Sequence, residues 1–256
     1  MDLWQVLKDY GGHILGFLGL AQLWIIAIWA RFFRRAKLIV YETANIEIGF
    51  SSFGPTIGML GTFRALNKDV FIKRMKVRVV RTEDKAEHTF TWRAFRSNVY
   101  TGAALTPQSL AVAGSFLVNT AAPRQYNVFF ASAAFTGQYQ SLVQPLRDAW
   151  LSFLNAQNLA PNPAFAADKF TQFIQAGHTT ELHTAISNGF FWRSGDYQLE
   201  FIIETDSLAK DISRQWRFSI SAQDEQALRL NVITLIRELC NLPVTYNFAN
   251  KEYLPA

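Results

Sequence analysis

Cysteine is almost absent from this sequence, since Cys240 is the single thiol among 256 residues. One thiol excludes an intrachain disulfide framework. Cys240 lies one residue from the apolar stripe of a predicted helix, and this position favours a buried, inert thiol over a catalytic nucleophile.

Charged residues are also scarce, at 18% of the chain, whereas soluble domains average about a quarter. Such a deficit is expected when part of a chain lies in lipid. The net charge of +5 is concentrated at one place: residues 1–30 contribute −1, residues 31–37 contribute +4, and residues 38–256 hold only +2. A juxtamembrane cluster therefore explains the charge better than a nucleic-acid-binding surface does.

Catalytic and ligand-binding motifs are missing as well. No serine stands in a G-x-S-x-G elbow, and the glycines from Gly49 to Gly61 lack the Lys-Ser/Thr of a phosphate-binding loop. His178 and His183, with Glu181 between them, have a spacing that fits no standard zinc site. The sequence therefore predicts no catalytic residue, no cofactor and no metal.

A long apolar run covers residues 14–30 and includes no charged side chain. Because a helix rises 1.5 Å per residue, roughly 20 residues cross the ~30 Å hydrocarbon core. We therefore predict a transmembrane helix from Gly12 to Ala30, with Trp24 and Trp29 toward the membrane interface. A buried core helix and a cleavable signal peptide are the alternatives. The absence of charge on every face argues against the first, and the poor cleavage site after the run argues against the second.

Basic residues follow this run and predict its orientation. They are Arg31, Arg34, Arg35 and Lys37. One lysine precedes the run, so the positive-inside rule places the C-terminal side in the cytoplasm and the short N-terminus outside. The predicted location is the inner cell membrane, crossed once, and the four cations are expected to contact anionic headgroups of the lipid bilayer.

Alternation of apolar and polar residues begins at Ile46 and predicts antiparallel β-strands with one face in water. In one of these strands Phe90, Trp92 and Ala94 alternate with polar side chains. The predicted strands cover residues 46–51, 56–66, 70–81, 88–95, 110–118 and 125–131.

Helical spacing replaces this alternation over residues 137–177, which we interpret as a helical insertion. The strands predicted after it cover residues 190–193, 197–204 and 214–221. An amphipathic helix over residues 222–241 follows. Ser221 is its expected N-cap, and Asp224 and Glu225 favour the positive end of its dipole.

The run Gly195-Asp196-Tyr197-Gln198-Leu199 resembles the start of the penultimate strand in immunoglobulin-like and fibronectin-like sandwiches, where a tyrosine bonds back to upstream backbone. A plain hairpin explains the same residues, and the paired cysteines of antibody domains are missing. The fold prediction is a single N-terminal transmembrane helix with its basic segment in residues 1–37. A mainly β, antiparallel, Ig-like β-sandwich is predicted for residues 38–256.

Arg74, Lys76 and Arg78 form a basic ladder on one face of the predicted strand 70–81. Three interpretations are open: a solvated outer face, a surface that lies on anionic lipid, and a nucleic-acid contact. RNA-binding sheets usually place exposed aromatic rings among their cations, and the ladder has none. We therefore predict no nucleic-acid partner and keep lipid contact as the functional interpretation of the ladder.

These observations favour a membrane-anchored, non-enzymatic interaction or scaffold module at the cytoplasmic face of the membrane, with the bilayer and another protein as partners. The alternative is an enzyme or accessory subunit whose site assembles from dispersed residues. An enzyme should show a concave pocket of convergent polar groups, and a scaffold an exposed apolar patch. A third hypothesis is a subunit of a larger membrane assembly, because small residues recur at the spacing of packed helices. These small residues are Gly12, Gly16, Gly19 and Ala21.

Overall fold

A computed structural model describes residues 19, 21–26, 28–29, 34–97, 100–101, 104–105, 109–157, 163–177 and 179–255. Across these residues the chain is mainly β, and eleven strands share one antiparallel sheet. The strands are β1 (Lys37–Ser51), β2 (Gly54–Leu66), β3 (Val70–Arg81), β4 (Glu87–Ser97), β5 (Tyr100–Thr101), β6 (Ala104–Leu105), β7 (Ser109–Val112), β8 (Phe116–Val118), β9 (Arg124–Ala131), β10 (Gly195–Thr205), β11 (Ile212–Ile220), β12 (Phe248–Glu252) and β13 (Leu254–Pro255). The helices after residue 132 are α1 (Ala133–Ala156), α2 (Pro163–Gln175), α3 (Thr180–Asn188) and α4 (Ala222–Leu239).

The sheet curls until its two ends nearly meet. Its strand order is β12-β1-β2-β9-β4-β3-β10-β11-β13, with β7 beside β4 and β8 beside β3. Because β12 pairs with β1 and β13 pairs with β11, residues 248–255 bridge the two ends. Tyr253 stands between these two short strands. Its amide donates to the Ala44 carbonyl at 3.0 Å, and its ring centroid lies 4.8 Å from that of Trp216.

Inward-facing side chains fill the curled sheet with aromatic and branched apolar groups. Phe63 and Tyr126 stack with ring centroids 4.2 Å apart, and Phe90 stacks on Trp192 at 5.5 Å. The Trp192 indole donates to the Gly49 carbonyl at 2.7 Å, which satisfies its polar group inside the core. The interior is therefore a side-chain core that holds the strands in register.

The helices pack against this core near the end of β1. Phe135 in α1 and Phe190 after α3 place their ring centroids 5.4 and 5.3 Å from that of Phe50. The predicted C-terminal helix is confirmed as α4, although it ends at Leu239. Its predicted N-cap is confirmed too, because Ser221 and Asp224 form a reciprocal capping box.

The predicted transmembrane helix from Gly12 to Ala30 is contradicted. Most of that segment lies outside the described residues, and in the part of the chain that the structure describes no helix is long and apolar enough to cross a membrane. A crossing takes roughly 20 helical residues. The helical residues described in this segment are 19, 21–26 and 28–29. The single-pass membrane assignment is therefore wrong.

The predicted Ig-like sandwich is also wrong. A sandwich needs two packed sheets, whereas successive strand pairs here run through one nearly closed sheet. The local feature behind the resemblance does exist: the Tyr197 hydroxyl donates to the Arg193 carbonyl at 2.7 Å and accepts from the Arg193 amide at 2.9 Å. This tyrosine therefore marks the start of a strand without specifying how many sheets the strand belongs to.

Several predicted boundaries differ from the structure. β1 begins at Lys37 instead of Ile46, the predicted strand 110–118 divides into β7 and β8, and the helical region extends over α1, α2 and α3. Residues 190–193 form no strand. Their aromatic character reflects burial, since Trp192 is fully buried in the core.

Candidate binding face

A row of outward-facing residues crosses five neighbouring strands of the sheet. Strand register places Glu47 of β1 between Asn250 of β12 and Gly58 of β2. Phe129 of β9 lies opposite Gly58, and Ala94 of β4 lies opposite Phe129. Residues far apart in the sequence therefore meet on one outer surface, which we name the Arg96 face after the side chain that crosses it.

Arg96 reaches this surface because β4 carries a β-bulge. The pairing of β4 with β9 shifts between Trp92 and Ala94, so side chains beyond the bulge change faces. Ala94 and Arg96 consequently point outward. Phe95 points inward, where its ring centroid lies 5.4 Å from that of Phe116.

The Arg96 guanidinium lies across the outer surface and forms an ion pair with Glu47 through Nη1. Its Cζ atom is 4.6 Å from the ring centroid of Phe129 and 5.9 Å from that of Phe248. Only 7% of the Arg96 side chain is exposed, against 26% for Glu47. Arg96 Nε is buried and donates to no described residue. The cation is thus held by one carboxylate and two aromatic rings.

Two glycines make room for these groups. A Cβ atom at Gly58 would lie 2.8 Å from Arg96 Nη1, and a Cβ atom at Gly49 would lie 2.5 Å from the Phe248 ring. Because neither position carries a side chain, the guanidinium and the ring rest directly on the strand backbone.

A shallow cavity of about 250 Å³ opens beside the ion pair. Its polar lining consists of Thr43, Asn45, Glu47, Arg96, Asn127 and Asn250. The side chains of Asn127 and Asn250 form no hydrogen bond with any described residue. Each amide can therefore donate to and accept from a bound group.

Exposed apolar side chains surround this polar centre. Leu60 is 46% exposed, Phe248 is 45% exposed and Phe53 is 36% exposed. The Phe53 ring meets Phe129 edge-on, with centroids 5.6 Å apart. Aromatic rings and arginine are enriched at the cores of protein–protein interfaces, and the Arg96 face combines both.

The predicted basic ladder faces acidic side chains of the neighbouring strand β10. Lys76 Nζ lies 3.1 Å from Glu204 Oε1, and Arg78 Nε lies 3.1 Å from Glu200 Oε2. Arg74 is exposed and lies opposite Glu204 in the strand register. Opposite charges on paired strands explain why β3 can carry a row of cations. Lipid contact by this ladder stays a prediction.

The predicted membrane contacts near the N-terminus are all solvent-exposed where the structure describes them. These residues are Trp24, Trp29, Arg34, Arg35 and Lys37, whereas Arg31 lies outside the described residues. The Arg35 carbonyl accepts a hydrogen bond from Asn67 Nδ2 at 3.0 Å, so its backbone is attached to the turn after β2.

His88 and Cys240 both lie in apolar surroundings. The His88 ring centroid is 4.8 Å from that of Phe90 and 5.0 Å from that of Phe191, and burial lowers the pKa of His88. Burial raises the pKa of the Cys240 thiol to about 12, so the thiol stays protonated at neutral pH. The position of Cys240 agrees with the buried thiol predicted from the sequence.

The His-Glu-His cluster is only partly described. Glu181 and His183 lie on α3, and His178 falls outside the described residues. Among the residues that the structure does describe, no group of three or more His, Cys, Asp or Glu side chains is placed to hold a metal ion.

A second groove, of about 570 Å³, runs beside β10, β11 and the C-terminal strands. Tyr197 lines it, and burial raises the pKa of this tyrosine. The Tyr197 hydroxyl is occupied by the Arg193 backbone. The polar lining of this groove also includes Thr82, Asp196, Arg217, Ser219 and Glu252.

No protein-family model matches the chain, and no curated protein matches it. Function has therefore to be inferred from the described surfaces. Sequence analysis missed the Arg96 face because its residues come from five strands whose register is set by the fold. The available signal was the pair Gly49 and Gly58, since glycine inside a strand often marks the close approach of another group.

Proposed function

We propose that this protein is a non-enzymatic interaction module that binds a partner protein on the Arg96 face. The observation that carries the proposal is the ion pair of the nearly buried Arg96 with Glu47, at the centre of an outer surface with an apolar rim. Arginine and aromatic anchors in desolvated surroundings are the side chains that dominate binding energy at protein interfaces.

The preorganised geometry of the centre supports recognition. Arg96 is fixed between Phe129 and Phe248 before any partner arrives, so little side-chain entropy is lost on binding. Asn127 and Asn250 add amide groups that can pair with polar groups of a partner. Amides form hydrogen bonds without transferring protons at neutral pH, so this lining suits binding better than acid–base chemistry.

A second apolar surface also favours a partner. Its exposed side chains are Leu23, Trp24, Ile25, Ile26, Ile28 and Trp29. Clusters of large exposed apolar side chains mark interaction sites on proteins.

Site-specific photo-crosslinking in the native cell tests the proposal. A benzophenone amino acid at Leu60 should give an adduct of discrete mass with one protein, and the same probe at Gln198 should not. Gln198 is the matched control because it is exposed on β10, a strand paired on both sides. Adding Asn250→Ala to the Leu60 probe should lower the adduct yield about tenfold, a loss of ~1.4 kcal/mol in binding.

Two results would contradict the proposal. One is equal crosslinking from positions 60 and 198. The other is an adduct yield that does not change when Asn250→Ala is present in a chain whose circular dichroism and thermal unfolding match the parent.

A further inference from the structure

Among the described residues, the nearly closed sheet has an opening between β1 and β11. β12 pairs with β1 over Asn45–Gly49, and β13 pairs with β11 at Trp216 and Arg217. Residues 37–42 of β1 and 212–215 of β11 are each paired on one side only, with β2 and β10 respectively. On their other sides no described residue pairs with them. We name this opening, between residues 37–42 and 212–215, the seam.

The strand order fixes the direction of any strand that could enter the seam. Six antiparallel steps lead from β1 to β11 through β2, β9, β4, β3 and β10, so β1 and β11 run the same way. A strand between them would be antiparallel to both. It would run in the direction of β12 and β13, and its backbone could form hydrogen bonds on both edges.

The two faces of the seam differ in chemistry. On the inner side, Leu38 and Val40 are buried and Ile212 is half-buried. On the outer side, Tyr41 is 48% exposed and Ser213 is exposed. An entering strand should therefore alternate apolar and polar residues.

An inner ion pair crosses the seam. Arg214 Nε lies 4.0 Å from Glu42 Oε1. Both residues occupy the alternate positions of their strands whose side chains point inward. Burial raises the pKa of Glu42, and the nearby Arg214 partly opposes this effect. The β1 and β11 edges of the seam are thus linked through side chains. Their backbone groups on the seam side pair with no described strand.

We propose that the seam accepts an extended segment of a partner protein, with alternating apolar and polar residues, as an added strand antiparallel to both β1 and β11. Backbone hydrogen bonds would supply affinity, and alternate side chains would supply specificity. A second copy of this chain fits less well, because its seam edges belong to a wide sheet and the opening is bounded on both sides. This surface is distinct from the Arg96 face, so either proposal can fail alone.

Disulfide tethering on the full chain tests whether the seam binds an extended peptide. The method detects a peptide even when its affinity without the disulfide is low. The probe is a peptide in which valine and threonine alternate over seven residues, with a lysine added before the first and after the last. A cysteine replaces the central threonine, at a polar position. It is equilibrated with the Tyr41→Cys variant and, as matched control, with Gln198→Cys. Both positions face outward, but β10 is paired on both sides at Gln198. The native Cys240 is buried, so it does not compete.

The expected result is that the Tyr41→Cys variant retains the peptide at about tenfold higher reductant concentration than the control. A peptide N-methylated at alternate residues lacks the N–H groups of one edge and should lose this advantage. Amide hydrogen exchange should slow at both edges of the seam, 37–42 and 212–215, when the unmethylated peptide is attached. Equal retention at the two cysteines, indifference to N-methylation, or protection of one edge alone would each overturn the proposal.

Discussion

Arg96 on β4 forms an ion pair with Glu47 on β1, across the two intervening strands β9 and β2. The long arginine side chain covers Phe129 of one intervening strand and Gly58 of the other. One polar contact on the outer surface therefore ties four strands together, on the side of the sheet opposite to the main core.

Glu47→Gln should destabilise the protein by ~3 kcal/mol, because a nearly buried guanidinium would lose its only carboxylate partner among the described residues. Replacing both partners together, as Glu47→Gln with Arg96→Met, should cost clearly less than Glu47→Gln alone. Urea unfolding of the three variants and the parent measures this. A double variant that is less stable than the single one would show that Arg96 stabilises the sheet by packing and not by charge pairing.

Gly58→Ala should lower the free energy of unfolding by ~1–2 kcal/mol, because the new Cβ atom would lie 2.8 Å from Arg96 Nη1 and displace it. Gly114→Ala is the matched control, since a Cβ atom there meets nothing within 4 Å. The comparison uses chemical denaturation of both variants. Equal stability of the two variants would mean that the guanidinium moves aside without cost.

Tyr197→Phe should cost ~1–2 kcal/mol of stability, because the Arg193 amide and carbonyl both lose their hydroxyl partner. Tyr41→Phe should change stability by less than ~0.5 kcal/mol, because Tyr41 is 48% exposed. Thermal and urea unfolding of the pair provide the test. A loss of similar size in both variants would point to a general effect of removing a tyrosine hydroxyl.

His88 should make stability fall in mild acid. Burial lowers the pKa of folded His88 below the ~6.5 expected for an unfolded histidine, so the unfolded state binds more protons. The free energy of unfolding should decrease as pH falls through about 6.5 and level off below the folded pKa. His88→Phe keeps the ring between Phe90 and Phe191 and should remove this component. Parallel unfolding curves from about pH 7.5 to about pH 5 measure the difference, and identical pH profiles would refute the assignment.

Local patterns predicted the parts of the fold that short segments determine. Ser221 and the acidic residues after it specify the start of α4 without help from the rest of the chain, because a capping box is complete within four residues. The alternation in residues 70–81 predicts β3 correctly for the same reason. Neither pattern contains information about which strand pairs with which.

The Arg96 face depended on information that no local pattern holds. Strict alternation would place Ala94 on the same face as Phe90, and the bulge after Trp92 reverses that order. β12 was missed because Phe248–Glu252 is short and shows no clear alternation. Without β12 the sheet could not be predicted to close.

Closure of the sheet also sets the timing of folding during synthesis. β1 is complete once Ser51 has been made, yet its second edge acquires a partner only when Phe248–Glu252 emerges from the ribosome. Pairing between such distant segments is entropically slow, and an unpaired edge is prone to aggregate while it waits. Nascent chains stalled before residue 248 should therefore depend on chaperones far more than the released protein does.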